Sequence, residues 1–302
     1  MSLNATVITV TPKSLYKDFL EITKARLAVS VVFSSVAGYL LGFDSQYSFS
    51  WLTLVLLSVG GYCMVGASNA FNQVIEKDLD ALMDRTKNRP VPSGRMSSNN
   101  ALTVAIFLTL IGLTLLYYIN PKTAMFGAIS IFIYTSIYTP LKTVTPLAVF
   151  VGAFPGAIPF MLGWVASTNH FGIEAGTLFL IQFFWQFPHF WAIGWFLFDD
   201  YKKAGFFMLP NGKKDKSTSL QVILYSLWTI VASLLPSFGF TGQLKISWIA
   251  AILVFLAGIW FLTYAIKLHK SQTTKAARTL MLVSVSYITL LQLIYIIDKF
   301  LR

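Results

Sequence analysis

Apolar runs of 17 to 26 residues alternate with short polar segments along the chain, near 27–43, 51–75, 101–119, 123–140, 146–167, 173–198, 220–240, 246–266 and 279–297. Each run is about long enough for a helix to cross roughly 30 Å of hydrocarbon. The pattern therefore predicts an all-α, polytopic membrane protein with nine transmembrane helices. The first run follows about 26 polar and mixed residues with no small-residue cleavage site behind it, so it reads as a retained helix and not as a signal peptide.

Composition agrees with the pattern: of 302 residues 56% are apolar, 16% aromatic and only 12% charged, with a mean hydropathy of +0.67. No linker divides the chain, so residues 1–302 form a single transmembrane domain. The net charge of +11 adds information once it is mapped onto the spans. The arm 1–26 and the segments after the even-numbered spans hold 19 of the 23 Lys and Arg, leaving Lys122, Lys245, Lys299 and Arg302 for the other side. The positive-inside rule then puts the N-terminus and the segments 76–100 and 199–219 in the cytoplasm and the C-terminus outside the cell membrane. The positive charge is accounted for by topology, and no nucleic acid partner is needed to explain it. Cys63 is alone inside the second run, which excludes a disulfide framework, a CxxCH haem attachment and a cysteine metal site.

Two segments break the apolar rule. The first, NQVIEKDLDALMDRTKNRPVPSGR at 72–95, gathers four carboxylates and then four Arg and Lys. If the second helix continues past the bilayer, Asn72, Glu76, Asp80 and Asp84 follow at i+4 steps, each rotated by about 40°. Asn72, Glu76 and Asp80 then share one face. Like charges at i+4 repel, so a cation is expected against them. Mg²⁺ suits the position because it takes one or two carboxylates together with substrate phosphate oxygens. Arg85, Lys87 and Arg89 follow as phosphate donors, and Pro90 and Pro92 stop the helix. The second segment ends the sixth run, where Asp199 and Asp200 stand beside Lys202 and Lys203. Acids for a metal beside bases for phosphate, twice on one membrane side, predict a site for a magnesium diphosphate.

Five stretches, ITKARL at 22–27, NQVIEKDLDALMDRTKNRP at 72–90, YTPLKTVTP at 138–146, WQFPHFWAIG at 185–194 and DDYKKAGFFMLP at 199–210, resemble the UbiA-type intramembrane prenyltransferases, and the likeness covers nearly the whole chain. Within that superfamily they are similar to the branch that farnesylates haem. The resemblance implies helices around one central cavity, with Asn72, Glu76, Asp80 and Asp200 as metal ligands and Asp84 and Asp199 beside them in the catalytic patches. It implies farnesyl diphosphate and haem B as substrates, Mg²⁺ as cofactor, and the bilayer as the medium. A haem-modifying enzyme that takes the product is a partner the resemblance leaves open. Phe196 stands where the superfamily's second DxxxD pattern has its first acid, and Ala25 and Phe207 stand where the family commonly has proline.

Tyr138 and Lys142, at the end of the fourth run, and Arg26, opening the first, face the diphosphate in this reading; Lys24 shares the position of Arg26, and a positive-inside anchor accounts equally well for these cations. His189 lies inside the sixth run, where an ionisable side chain signals function, and it is assigned to haem. Aromatic rings line the cavity and stabilise positive charge. A transporter would also break its helices and bury charge, but at the midplane. Here the acids cluster at one membrane face with phosphate-type bases. A quinone precursor or chlorophyllide remains an alternative acceptor on the same fold.

Overall fold

The computed structural model describes residues 15–43 and 49–302. Lys13 and the rest of the arm before residue 15 lie outside the described residues. A short helix α1 (Leu15–Ile22) precedes α2 (Ala25–Gly42). Then come α3 (Trp51–Ile75), α4 (Lys77–Leu82), α5 (Ser98–Ile119) and α6 (Pro121–Phe132), which runs through a π-helical turn (Ile133–Tyr138) into α7 (Thr139–Leu141). The chain continues through α8 (Leu147–Thr168), α9 (Ile173–Phe196), α10 (Phe198–Lys203), α11 (Lys216–Leu234), α12 (Trp248–Ser271) and α13 (Thr274–Leu301).

Sequence dictates where these helices start. Ser50, Ser97, Asn120, Asp215, Ser247 and Thr273 each accept a backbone N–H three residues on, at Thr53, Asn100, Thr123, Thr218, Ala250 and Ala276. Such caps satisfy one of the four orphan donors at a helix start.

Neighbours pack in chain order, α2 on α3, α3 on α5, then α6, α8, α9, α11, α12 and α13, and α13 closes the ring on α2. Backbones of α2 and α8 approach closely. A Cβ on Gly38 would lie 2.0 Å from the Phe160 carbonyl oxygen, and one on Gly163 would lie 1.9 Å from that of Ser35. Only glycine permits this backbone contact, the usual device where lipid offers no hydrophobic drive between helices. The outer surface exposes Trp51, Phe107, Leu110, Trp228, Trp248 and Ile249, as a lipid-facing wall requires.

Among the described residues, eight spans are long and apolar enough to cross a membrane. The remaining one of the nine expected, α9, has the length at 24 residues, but Gln182, Gln186 and His189 dilute its apolar character. All three line the central cavity.

The continuation expected of α3 past the bilayer ends early. The helix through Asn72 kinks at Glu76 (φ −96°, ψ 14°) and stops at Met83, which is extended (φ −95°, ψ 132°), so Asp84 leaves the helical face. Likewise α9 breaks at Leu197 and restarts as α10. The kink at Glu76 keeps the i−4 bonds of Glu76 to Asn72 (2.9 Å) and of Asp80 to Glu76 (2.7 Å). Asn72, Glu76 and Asp80 therefore stay on one face despite it.

Candidate active site

The bundle encloses a cavity of about 460 Å³, with largely apolar walls and its charged residues at the end beneath α4 and α10. Asn72, Glu76, Asp80, Arg85, Arg89, Tyr138, Lys142 and His189 line it. The kinked α3–α4 junction presents the first three. Asn72 Nδ2 donates to Glu76 Oε2 at 2.8 Å and stands 3.4 Å from Thr139 Oγ1. Two side-chain cations pair with the acids: Lys142 Nζ lies 2.7 Å from Glu76 Oε1, and Arg89 Nη1 lies 2.7 Å from Asp80 Oδ2.

Glu76 Oε1 meets Lys142 as an ion pair without an aligned hydrogen bond, so a buried carboxylate oxygen is left under-satisfied. With Asp80 and the Asn72 amide it forms a hard-oxygen set of two carboxylates and a neutral donor. That set fits a magnesium ion that draws its remaining ligands from phosphate and water. Among the described residues no three His, Cys, Asp or Glu gather closely enough to cage an ion with protein ligands alone.

The second acidic patch is placed differently from the sequence reading. Asp199, Asp200, Asp84, Lys87, Lys202 and Lys203 are absent from the cavity wall. Asp200 instead accepts the backbone N–H groups of Asp84 (2.8 Å) and Arg85 (3.2 Å), and Lys203 bridges Asp84 and Asp200. Burial alone would raise the Asp200 carboxyl, but these N–H bonds and Lys203 hold it below the ordinary carboxylate range. Hydrogen bonds from Lys203 and Lys87 bring Asp84 down to about 2. Asp199 is exposed and pairs with Lys214 at 3.4 Å. The Arg278 guanidinium lies 5.4 Å over the ring of Phe196. The Phe207 N–H donates to the Lys142 carbonyl at 2.8 Å, a bond proline could not make.

Arg26 is exposed and off the cavity wall; Lys24, two residues earlier, lines it. Lys24 joins α1 to α2 in a left-handed conformation (φ 48°), a strained state for a side chain with a Cβ. Burial first, and then the neighbouring Arg89, Lys142 and Arg85, push its ammonium well below the usual lysine value. An anion in the mouth would relieve that repulsion.

Deeper in, His189 stacks on Trp185 with centroids 4.7 Å apart. Its Nδ1 meets Ser284 Oγ at 2.8 Å, while that hydroxyl donates to the Met281 carbonyl at 2.6 Å. Ser284 thus fixes the Nδ1 edge of the ring and leaves Nε2 as its other nitrogen. Trp185 Nε1 is tied to the Ser284 carbonyl at 2.7 Å. Tyr134, Gln182, Gln186, Trp185 and Asn69 also line the cavity. The sequence reading passed over them because polar and aromatic residues inside an apolar run do not declare which way they face.

A ring of membrane helices around a cavity with a charged mouth defines a polytopic membrane protein with one polar site at one face. The profile of the UbiA prenyltransferase family matches residues 31–289, and the chain belongs to that family. It is 71% identical over 300 residues to the protoheme IX farnesyltransferase of Flavobacterium johnsoniae, covering 99% of this chain and 100% of that protein. It is 42% identical over 289 residues to the protein of the same name from Cytophaga hutchinsonii, covering 95% and 99%. Its fold is similar to a UbiA homologue from Archaeoglobus fulgidus bound to DMAPP and Mg²⁺, with a TM-score of 0.69 at 15% identity, covering 91% of this chain and 98% of that one.

Proposed function

We propose that the chain transfers the farnesyl group of farnesyl diphosphate to a vinyl group of haem B, adding water and releasing diphosphate, to give haem O. The observation that carries the chemistry is the buried set of Glu76, Asp80 and Asn72 facing Lys142 and Arg89 at the mouth of an apolar cavity. The haem acceptor is supported by the whole-length likeness to the Flavobacterium enzyme.

Asn72, Glu76 and Asp80 would hold Mg²⁺, which when bound neutralises charge on the diphosphate leaving group. Lys142, Arg89, Arg85 and Lys24 donate to the phosphate oxygens and stabilise the charge that builds as the allylic C–O bond breaks. The apolar wall below excludes bulk water, which protects a cation from early hydrolysis. His189 meets the porphyrin, its ring direction set by Ser284 and Trp185. In this reading Asp200 organises the 84–85 backbone from behind, and Lys203 and Lys87 serve the same loop. The basic face with α4 and α10 is cytoplasmic, as the distribution of Lys and Arg supports.

The haem assignment is tested by Soret titration of wild type and His189→Ala beside a farnesyl diphosphate binding assay. Weaker haem binding with diphosphate affinity intact is expected. Unchanged haem affinity and spectrum would remove His189 from the acceptor site, and loss of both ligands would point to a packing defect in α9.

A further inference from the structure

Pro140 cannot donate a backbone hydrogen bond, and it sits at the end of a membrane helix where every carbonyl needs a partner. The chain responds with the π-helical turn Ile133–Tyr138, in which the Thr139 N–H reaches the Tyr134 carbonyl five residues back. Thr139 Oγ1 donates to the same carbonyl at 2.8 Å. Isolated π turns are rare and concentrate at functional sites. The wider turn sets Tyr134 beneath Tyr138 on the cavity side, with ring centroids 5.3 Å apart at 48°.

The two rings are differently engaged. Lys142 Nζ stands 4.7 Å over the Tyr138 ring. A Cβ on Gly152 would come within 2.6 Å of that ring, so Tyr138 is packed tightly against α8. Tyr138 is buried, with an ammonium already on its π system. Tyr134 lies one turn deeper, half-buried and open to the cavity. No described residue hydrogen-bonds its hydroxyl, so its donor and acceptor sites stay open to whatever fills the cavity. Lys142, Tyr138 and Tyr134 thus form a ladder from the charged mouth inward. A diphosphate held at Lys142 and Arg89 would send its allylic chain down the cavity past these rings.

We propose that Tyr134 is a catalytic residue of the transfer, its ring face stabilising the carbocation and its hydroxyl accepting a hydrogen bond from the water that ends the reaction. The inference rests on the farnesyl-transfer reading above. In that reaction the C–O bond of farnesyl diphosphate breaks, and its electron pair leaves with diphosphate. The vinyl π pair forms the new C–C bond through its terminal carbon, which puts the positive charge on the vinyl carbon attached to the porphyrin. A water lone pair closes on that carbon, and the proton the water sheds passes to the departed diphosphate. An oriented water gives the alcohol; without one, the cation loses a proton and gives an alkene.

The test uses the full-length protein in detergent or nanodiscs, with Tyr134→Phe and Tyr134→Leu, haem B, farnesyl diphosphate and Mg²⁺, and mass analysis of the products. Tyr134→Leu is expected to lower kcat by about tenfold with KM for farnesyl diphosphate little changed, the worth of a desolvated cation–π contact. Tyr134→Phe is expected to keep most of the rate but divert product to the alkene, lighter by one water. A purely structural tyrosine would not move that product ratio. If the leucine variant fails to fold, the phenylalanine ratio alone decides. Wild-type rate in Tyr134→Leu overturns the ring's role, and fully hydroxylated product from Tyr134→Phe overturns the hydroxyl's. Wild-type protein that never farnesylates haem B contradicts the acceptor reading instead, and is seen before either variant is assayed.

Discussion

Glu76 combines a stability cost with a function. Its carboxylate is buried with Lys142, and breaking a buried pair by removing one charge costs about 3–5 kcal/mol, although the pair itself adds little over an apolar replacement. Glu76→Gln is therefore expected to lower both Tm and turnover, the latter by roughly a hundredfold or more, as for other groups that stabilise developing charge. Adding Lys142→Met should restore much of the Tm and none of the activity. Asp80→Asn, which faces Arg89, should behave like Glu76→Gln. Thermal melts in detergent beside turnover assays check this, and full activity in Glu76→Gln or Asp80→Asn would contradict the metal assignment. Asn72, Glu76 and Asp80 were legible in the sequence because i+4 spacing survives a kink that keeps its hydrogen bonds. Asp84 was not, because nothing in the local pattern says that Met83 turns extended. Lys24 and Arg26 could not be told apart, since the choice depends on a left-handed residue between two helices.

At the scale of elements, the mouth is covered by two loops that are stapled together. Asp200, from α10, receives the amides of the loop after α4, Lys203 bridges that loop's Asp84, and Arg95 ties the loop's far end to Asp18 and Glu21 of α1. The sequence declared these acids and bases but matched the acids to a metal and the bases to phosphate, because partners 116 residues apart leave no mark in local spacing. The signs of the shifts fix the pH behaviour of the staple. Asp84 and Asp200 are depressed, so their contribution is complete above the unfolded carboxylate value and is lost as pH falls through the folded values, about 2 for Asp84. Lys203 is raised, chiefly by hydrogen bonds to Asp84 and Asp200, so its contribution is complete below the ordinary lysine value and lost above it. Between about pH 5 and 9 the staple should not change. Hydrogen exchange at the Asp84 and Arg85 amides, corrected for intrinsic rates, is expected to give constant protection over that range, and Asp200→Ala to lower it roughly tenfold. Protection that fades between pH 7 and 5 would contradict the assignment.

For the molecule as a whole, the helical class, most span boundaries and one-sided clustering of charge followed from hydropathy and from Lys and Arg positions. The ring closure of α13 on α2 and the inward turn of α9 did not, because hydropathy records how apolar a helix is and not which neighbour it meets. If the charged mouth faces the cytoplasm, single cysteines at Arg89 and Lys213 should resist an impermeant thiol reagent added to intact cells and react in inverted vesicles; labelling from outside would reverse the topology. The central claim is that this cavity joins a farnesyl chain to haem. Its most direct test is to incubate purified wild-type protein with haem B, farnesyl diphosphate and Mg²⁺ and to follow the porphyrin by mass spectrometry. The account expects a product heavier than haem B by a farnesyl group and one hydroxyl group, formed only when magnesium is present and absent with Asp80→Asn. Unmodified haem B under conditions where the same protein prenylates a quinone precursor or chlorophyllide would contradict it.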